Sequence, residues 1–239
     1  MRNRIYTSTL FLALMMSSLA GLARADEIGE AFDRGNTAFQ IGQYERAIFE
    51  YQLALAWHGW HRARAHFNIG VCHYKLGHLR EAVTEYRDAI KLRDGKYPSA
   101  TYALGIALRD LGQKREAGMA FLQTVTASGG KHAEALFEVA LESQRHGDYN
   151  SAIEYYQRAI IQSKDRIPAC HNNLGVIFAQ SGNLDEAMRE FGAALKRAGS
   201  KFAEAQDNLD LCRKLTSPPS LIASLKICEE LPGRRLVSE

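Results

Sequence analysis

The chain of 239 residues lacks a lasting excess of either charge, a long apolar run and the short motifs that announce a reaction centre. It carries 30 Lys and Arg against 27 Asp and Glu. Three of the basic residues, Arg2, Arg4 and Arg24, fall in the first 25 residues, where there is no acid. Beyond them the balance is 27 to 27, so the positive footprint of a nucleic-acid binder is missing. No nucleophile elbow, phosphate loop, paired-carboxylate site or zinc motif occurs. Nothing in the sequence calls for a cofactor, and the expected function is non-catalytic. No Asn-x-Ser/Thr sequon is present either, which leaves no acceptor for N-glycosylation.

The main apolar stretch, Leu10 to Leu22, is interrupted by Ser17, Ser18 and Gly21 and is too short for a comfortable membrane span. Arg2 and Arg4 precede it, and Ala23-Arg24-Ala25 follows, before polar Asp26 and Glu27. That order reads as a secretory signal over residues 1–25. The expectation is an exported chain, periplasmic or secreted, with no stable membrane span once the signal is removed. No cysteine stands near the cleavage point, which argues against a lipid anchor.

What the sequence does have is a repeat. An alanine returns every 35 residues, at Ala47, Ala82, Ala117, Ala152 and Ala187. A glycine keeps the same step at Gly42, Gly77, Gly112, Gly147 and Gly182, and an aromatic at Tyr51, Tyr86, Phe121, Tyr156 and Phe191. A second small residue precedes the first glycine by seven places, at Gly35, Gly70, Gly105, Ala140 and Gly175. Each unit reads as two helices: Arg64 to Leu76, a break at Gly77-His78, then Arg80 to Leu92 in the second. The recurrent glycine supplies a left-handed residue where one helix ends. A glycine inside a helix costs about 1 kcal/mol against alanine, so the inner one implies close approach of the neighbouring helix.

Five units in register, with Leu174-Gly175, Gly182, Ala187, Phe191 and Ala194 as one instance, resemble the tetratricopeptide repeat over residues 28–202. The period exceeds the usual one of about 34 residues by one. The pentatricopeptide repeat shares the longer period but lacks the inner small residue. The fold implied is all-α, a right-handed helical-hairpin solenoid of five repeats. Residues 203–216 then read as a capping helix, with Phe202, Leu209, Cys212 and Leu215 on one stripe. Residues 217–239 form a tail in which Ser220 would cap a short helix holding Leu221, Ile222, Leu225 and Cys228, ended by Pro232-Gly233. The tail either extends the cap or docks on a partner.

The resemblance implies that the first helices line a concave groove for a peptide or helix. The residue three before the inner small residue, which faces that groove in the family, is Phe32, Phe67, Tyr102, Phe137 and Asn172. The residue after it is Asn36, Val71, Ile106, Leu141 and Val176, and Phe39 and Tyr74 extend the surface. These side chains either grip an apolar segment or pack between helices. The family's carboxylate clamp is not expected. Asn36 and Asn68 fill its asparagine places, but Phe32, Ser99 and Ala103 stand where it needs basic groups.

His61, Lys96, Lys131, Arg166 and Lys201 recur at the same step in the turns between units. They form either a basic edge that orients an acidic ligand or ordinary solvated turns. Five of the eight histidines fall between His58 and His78, near Cys72, yet no pair has the spacing of ligands on one helix face. His66, His73 and His171 fill places of core aromatics instead. Cys72 and Cys170 are almost three repeats apart, beyond disulfide reach. Cys212 and Cys228 either pair or remain two of four buried thiols. A protein partner, bound as a peptide or helix by a scaffold or assembly factor, is the expected ligand. A polysaccharide or cell-wall polymer stacking on the aromatic ladder is the alternative.

Overall fold

The computed structural model describes residues 27–56, 59–199, 202–214 and 224–231. These residues are helical throughout, apart from the turns and the last stretch. The chain divides into two compact units, one ending at Leu111 and the other starting at Gly112. The first holds α1 (27–40), α2 (Tyr44–Ala54), α3 (Gly59–Lys75), α4 (Leu79–Lys91) and α5 (Pro98–Asp110). The second holds α6 (Lys114–Ala127), α7 (Ala133–Arg145), α8 (Tyr149–Gln162), α9 (Pro168–Gln180), α10 (Leu184–Arg197) and α11 (Ala203–Lys214). The two helices of the third repeat therefore fall on either side of the division.

Within each unit the hairpins follow from the ladders. Gly182 ends α9 at φ 83°, where a side chain would be strained, and the Asn183 amide returns to the Phe178 carbonyl at 2.9 Å. The chain turns into α10 within three residues, and Ala187 and Ala194 lie wholly buried against α9. Small residues there let the two helices approach closely, and Phe191 one turn on fills the space beside them.

The inner glycine has a more specific partner than a neighbouring helix backbone. A β-carbon at Gly35, Gly70 or Gly175 would stand 2.6–2.7 Å from the ring of Tyr51, Tyr86 or Phe191. The aromatic of the second helix thus lies directly on the glycine of the first. At these three repeats the two ladders are one contact.

The cap forms as expected. Phe202, Leu209 and Cys212 are buried, while Leu215 lies outside the described residues. The tail differs from its expected helix. Residues 225–229 are non-helical and Ser224 is 3₁₀; Leu221 and Ile222 lie outside the described residues. Amide side chains on α9 and α11 take up the backbone groups at Lys226 and Cys228 that a helix would pair internally. Nor does the bridge from Cys212 to Cys228 form. All four cysteines are buried free thiols, Cys212 packed in the cap core and Cys228 bonded to the Glu230 carbonyl.

Candidate functional site

Helix α9 begins at Pro168, whose missing N–H costs nothing in the first turn. It is buried on nearly every side, because α8, α10, α11 and the tail all pack on it. Asn172 and Asn173 are therefore shut away from water and must find hydrogen bonds inside the protein. Asn208, on α11, is in the same position. The three amides meet this need through one another and through the tail backbone.

Asn173 holds both backbone groups of Cys228: its Nδ2 donates to the Cys228 carbonyl at 2.9 Å, and its Oδ1 accepts from the Cys228 amide at 2.8 Å. Asn208 does the same at Lys226, donating to the carbonyl and accepting from the amide, both at 2.8 Å. Asn172 donates to the Lys226 carbonyl at 3.0 Å and to Asn173 Oδ1 at 3.1 Å, and accepts from Asn208 Nδ2 at 3.0 Å. Tyr156 on α8 completes the set. Its hydroxyl accepts from Asn173 Nδ2 at 3.0 Å and donates to Gln144 at 2.9 Å. Each asparagine N–H and carbonyl in this network is used, which fixes the amides in one orientation.

The side chains of the segment contribute differently. Leu225 and Ile227 pack against the core formed by Val176, Phe191, Leu209 and Cys212. Lys226 reaches Asp207 at 2.6 Å and Glu229 reaches Arg145 of α7 at 2.6 Å, both at the exposed surface. The segment thus crosses α11, α9 and α7 in turn, all three of them first helices. Burial pushes the Cys228 thiol up to about 11. It likewise raises Cys170, with the Cys228 thiol as the next contribution. Neither sulfur is activated for chemistry.

Beside this face, His171 bonds Glu190 through Nδ1 at 2.6 Å and Asp165 through Nε2 at 2.8 Å, and Arg197 also reaches Asp165. Burial of the ring opposes its charge, but the two carboxylates prevail and its pKa is raised. Among the described residues no three His, Cys, Asp or Glu side chains are grouped to hold a metal ion.

The expected groove residues are placed as follows. Phe32, Phe67, Tyr102 and Phe137 are at most 8% exposed. Phe32 packs on Tyr51 with the Arg64 guanidinium over its ring, Phe67 packs on Tyr86 and Tyr97, and Phe137 packs on Tyr156. Val71, Ile106 and Leu141 are buried too. Asn36 is half-buried and accepts from the Tyr51 hydroxyl at 2.8 Å, Phe39 packs on Tyr44, and the Tyr74 hydroxyl donates to Asp110 at 2.5 Å. These aromatic faces are occupied by helix packing. Of the set, Asn172 hydrogen-bonds the bound segment, and Val176 lies in the core on which Leu225 and Ile227 of that segment pack.

Sequence reasoning missed Asn173 and Asn208 as contact residues, although a signal existed. They are 35 residues apart, and Asn68 and Glu138 stand at the same place of their own repeats. Lys96, Lys131 and Arg166 are exposed in the turns, and Lys201 lies outside the described residues; His61, expected in a turn, instead falls in the first turn of α3 and is half-buried. Arg166 turns back on its own loop, donating to the Ser163 carbonyl at 2.9 Å.

Repeated helical hairpins, three of them locked by an aromatic on a glycine, with a lone helix after the last, define a helical-repeat protein. The chain belongs to the tetratricopeptide repeat family, whose models match residues 63–95, 102–165 and 137–203. Among solved structures it is similar to MamA from Desulfovibrio magneticus RS-1, with 20% identity over 74% of this chain and 97% of that one, at a TM-score of 0.59. PilF of Pseudomonas aeruginosa is 17% identical over 85% and 90% of the two chains, with a TM-score of 0.66. YrrB, described as a tetratricopeptide protein with an unusual peptide-binding site, is 19% identical over 77% and 91%, at 0.58. At such identities the likeness is one of fold. Among curated proteins none matches.

Proposed function

We propose that this chain is a non-catalytic scaffold that holds a segment of another protein against the first helices of its second unit. The observation that carries the reading is the seat of residues 224–231. A non-helical stretch of polypeptide lies there with its backbone bonded to three buried asparagines and two aliphatic side chains in the cap core. Most of those bonds go to backbone groups, so the face accepts a polypeptide with little regard to most of its side chains. The peptide-binding site described for YrrB is consistent with this use of the fold. Export to the periplasm or secretory space, from the leader-like residues 1–25, completes the proposal, and the exposed basic turns at Lys131 and Arg166 would orient an acidic ligand.

The polysaccharide alternative needed open ring faces, and Phe32, Phe67, Tyr102 and Phe137 spend theirs on packing. Panning a display library of short peptides against the chain tests the proposal. The expected result is enrichment of sequences with alternating aliphatic residues, abolished by the double substitution Asn173→Ala, Asn208→Ala. Enrichment indifferent to that substitution would reject this face as the site.

A further inference from the structure

We infer that residues 224–231 are a tethered competitor: the site is occupied by the chain's own tail, and a partner segment enters only by displacing it. The inference rests on the proposed peptide-holding function, and it names both the ligand class and its control. The ligand is a non-helical peptide with aliphatic residues where Leu225 and Ile227 lie, and a small residue where Cys228 is buried.

The segment is held as a ligand is held. Its backbone groups at Lys226 and Cys228 bond to side chains of α9 and α11, which are 54, 55 or 18 residues away in the chain. Its charged side chains, Lys226 and Glu229, stay at the surface in ion pairs that are worth little when solvated. Residues 215–223 join it to α11 in the sequence. A covalent tether of this length supplies an effective concentration on the order of millimolar, enough to exclude a free peptide of modest affinity. A partner succeeds by binding more tightly or by arriving with a second contact elsewhere.

The direction of the segment is also fixed. It meets α11 at Lys226, α9 at Cys228 and α7 at Glu229, so it runs against the order of the helices. A competing partner would enter in the same direction, because Asn208 and Asn173 each grip an amide and a carbonyl of the same residue.

The test uses the full chain and a fluorescein-labelled peptide with the sequence of residues 222–231. The double variant Lys226→Pro, Cys228→Pro removes the two tail amides that Asn208 Oδ1 and Asn173 Oδ1 accept. By fluorescence anisotropy the peptide should bind this variant about tenfold tighter than the unaltered chain, since the tether no longer competes. Adding Asn173→Ala and Asn208→Ala should remove the gain. Equal binding to both chains would overturn the competition while leaving the peptide-holding function intact. Binding to neither would overturn both. In the unaltered chain, where folding is not in question, saturating peptide should release the Lys226 and Cys228 amides to fast hydrogen exchange. Continued protection of those amides beside a bound peptide would overturn the inference independently.

Discussion

Phe191 lies over Gly175 so closely that a β-carbon added to the glycine would stand 2.6 Å from the ring's Cε1. The ring is wholly buried, so it cannot swing aside. Gly175→Ala should therefore destabilise the second unit by about 1–3 kcal/mol, the usual cost of overpacking. Gly192 is the control. It lies inside α10, and a β-carbon there would meet nothing within 4 Å. Gly192→Ala should gain about 0.5–1 kcal/mol by stiffening the helix. Urea midpoints of the two variants should move in opposite directions. A stable Gly175→Ala protein would sink the assignment of the inner glycines to ring contact.

His171 predicts a pH dependence. Both ring nitrogens face carboxylates, Glu190 of α10 and Asp165 of the preceding turn, and Arg197 of α10 also bonds Asp165. The folded pKa of His171 is raised despite burial, so its contribution is full below the ordinary 6.5 and is lost as pH rises through the folded value. Asp165 moves the other way. Burial opposes its charge, but bonds from His171 and Arg197 lower its pKa, so its contribution is present above 3.8 and lost as pH falls through the folded value. The cluster stabilises most between these limits. Denaturation of the wild type and of His171→Gln should differ most near pH 5–6, with the gap narrowing toward pH 9. A gap that widens with pH would show that His171 is held neutral.

The repeat was legible because packing asks the same question every 35 residues and Ala187, Gly182 and Phe191 give the same answers as their counterparts. The site was less so. Phe67 and Phe137 have the spacing of a groove lining, but an aromatic at helical spacing serves packing equally well, and sequence holds no record of which side of the ring is covered. Leu221, Ile222, Leu225 and Cys228 carry a helical period, yet at 225–229 the chain is not helical. That outcome is decided by asparagines far away in the sequence, a tertiary override of a local pattern. Asn173 and Asn208 share a register, which was readable, but their use depends on the tail that reaches them.

The proposed leader, residues 1–25, makes a prediction of its own. Cleavage after Ala25, at the small residues flanking Arg24, would leave Asp26 as the first residue of an exported chain. Intact-mass measurement of the protein recovered from its native compartment should show a loss of residues 1–25. Recovery of the full-length chain from the cytoplasm would reject export.

Tyr156 joins the core of the second unit to the hold on the tail. Its hydroxyl is the second acceptor for Asn173 Nδ2, whose other N–H goes to the Cys228 carbonyl. Tyr156→Phe leaves that N–H and the Gln144 carbonyl without partners in a buried place, at a cost of about 1–3 kcal/mol. It also frees the Asn173 amide to turn, loosening its two-point grip on Cys228. Cys228 is the reporter: buried, with a thiol raised to about 11, it should react slowly with a disulfide reagent in the wild type. In Tyr156→Phe its labelling, located by mass spectrometry, should accelerate while that of Cys72 stays slow. Tyr86, at the same place in the first unit, provides the contrast, since its buried hydroxyl has no partner among the described residues. Tyr86→Phe removes a polar group that gains nothing from burial, so it should leave stability unchanged or raise it slightly, and Cys228 should label as in the wild type. Faster Cys228 labelling in Tyr86→Phe as well would mean that the tail answers to general loosening rather than to the asparagine that holds it.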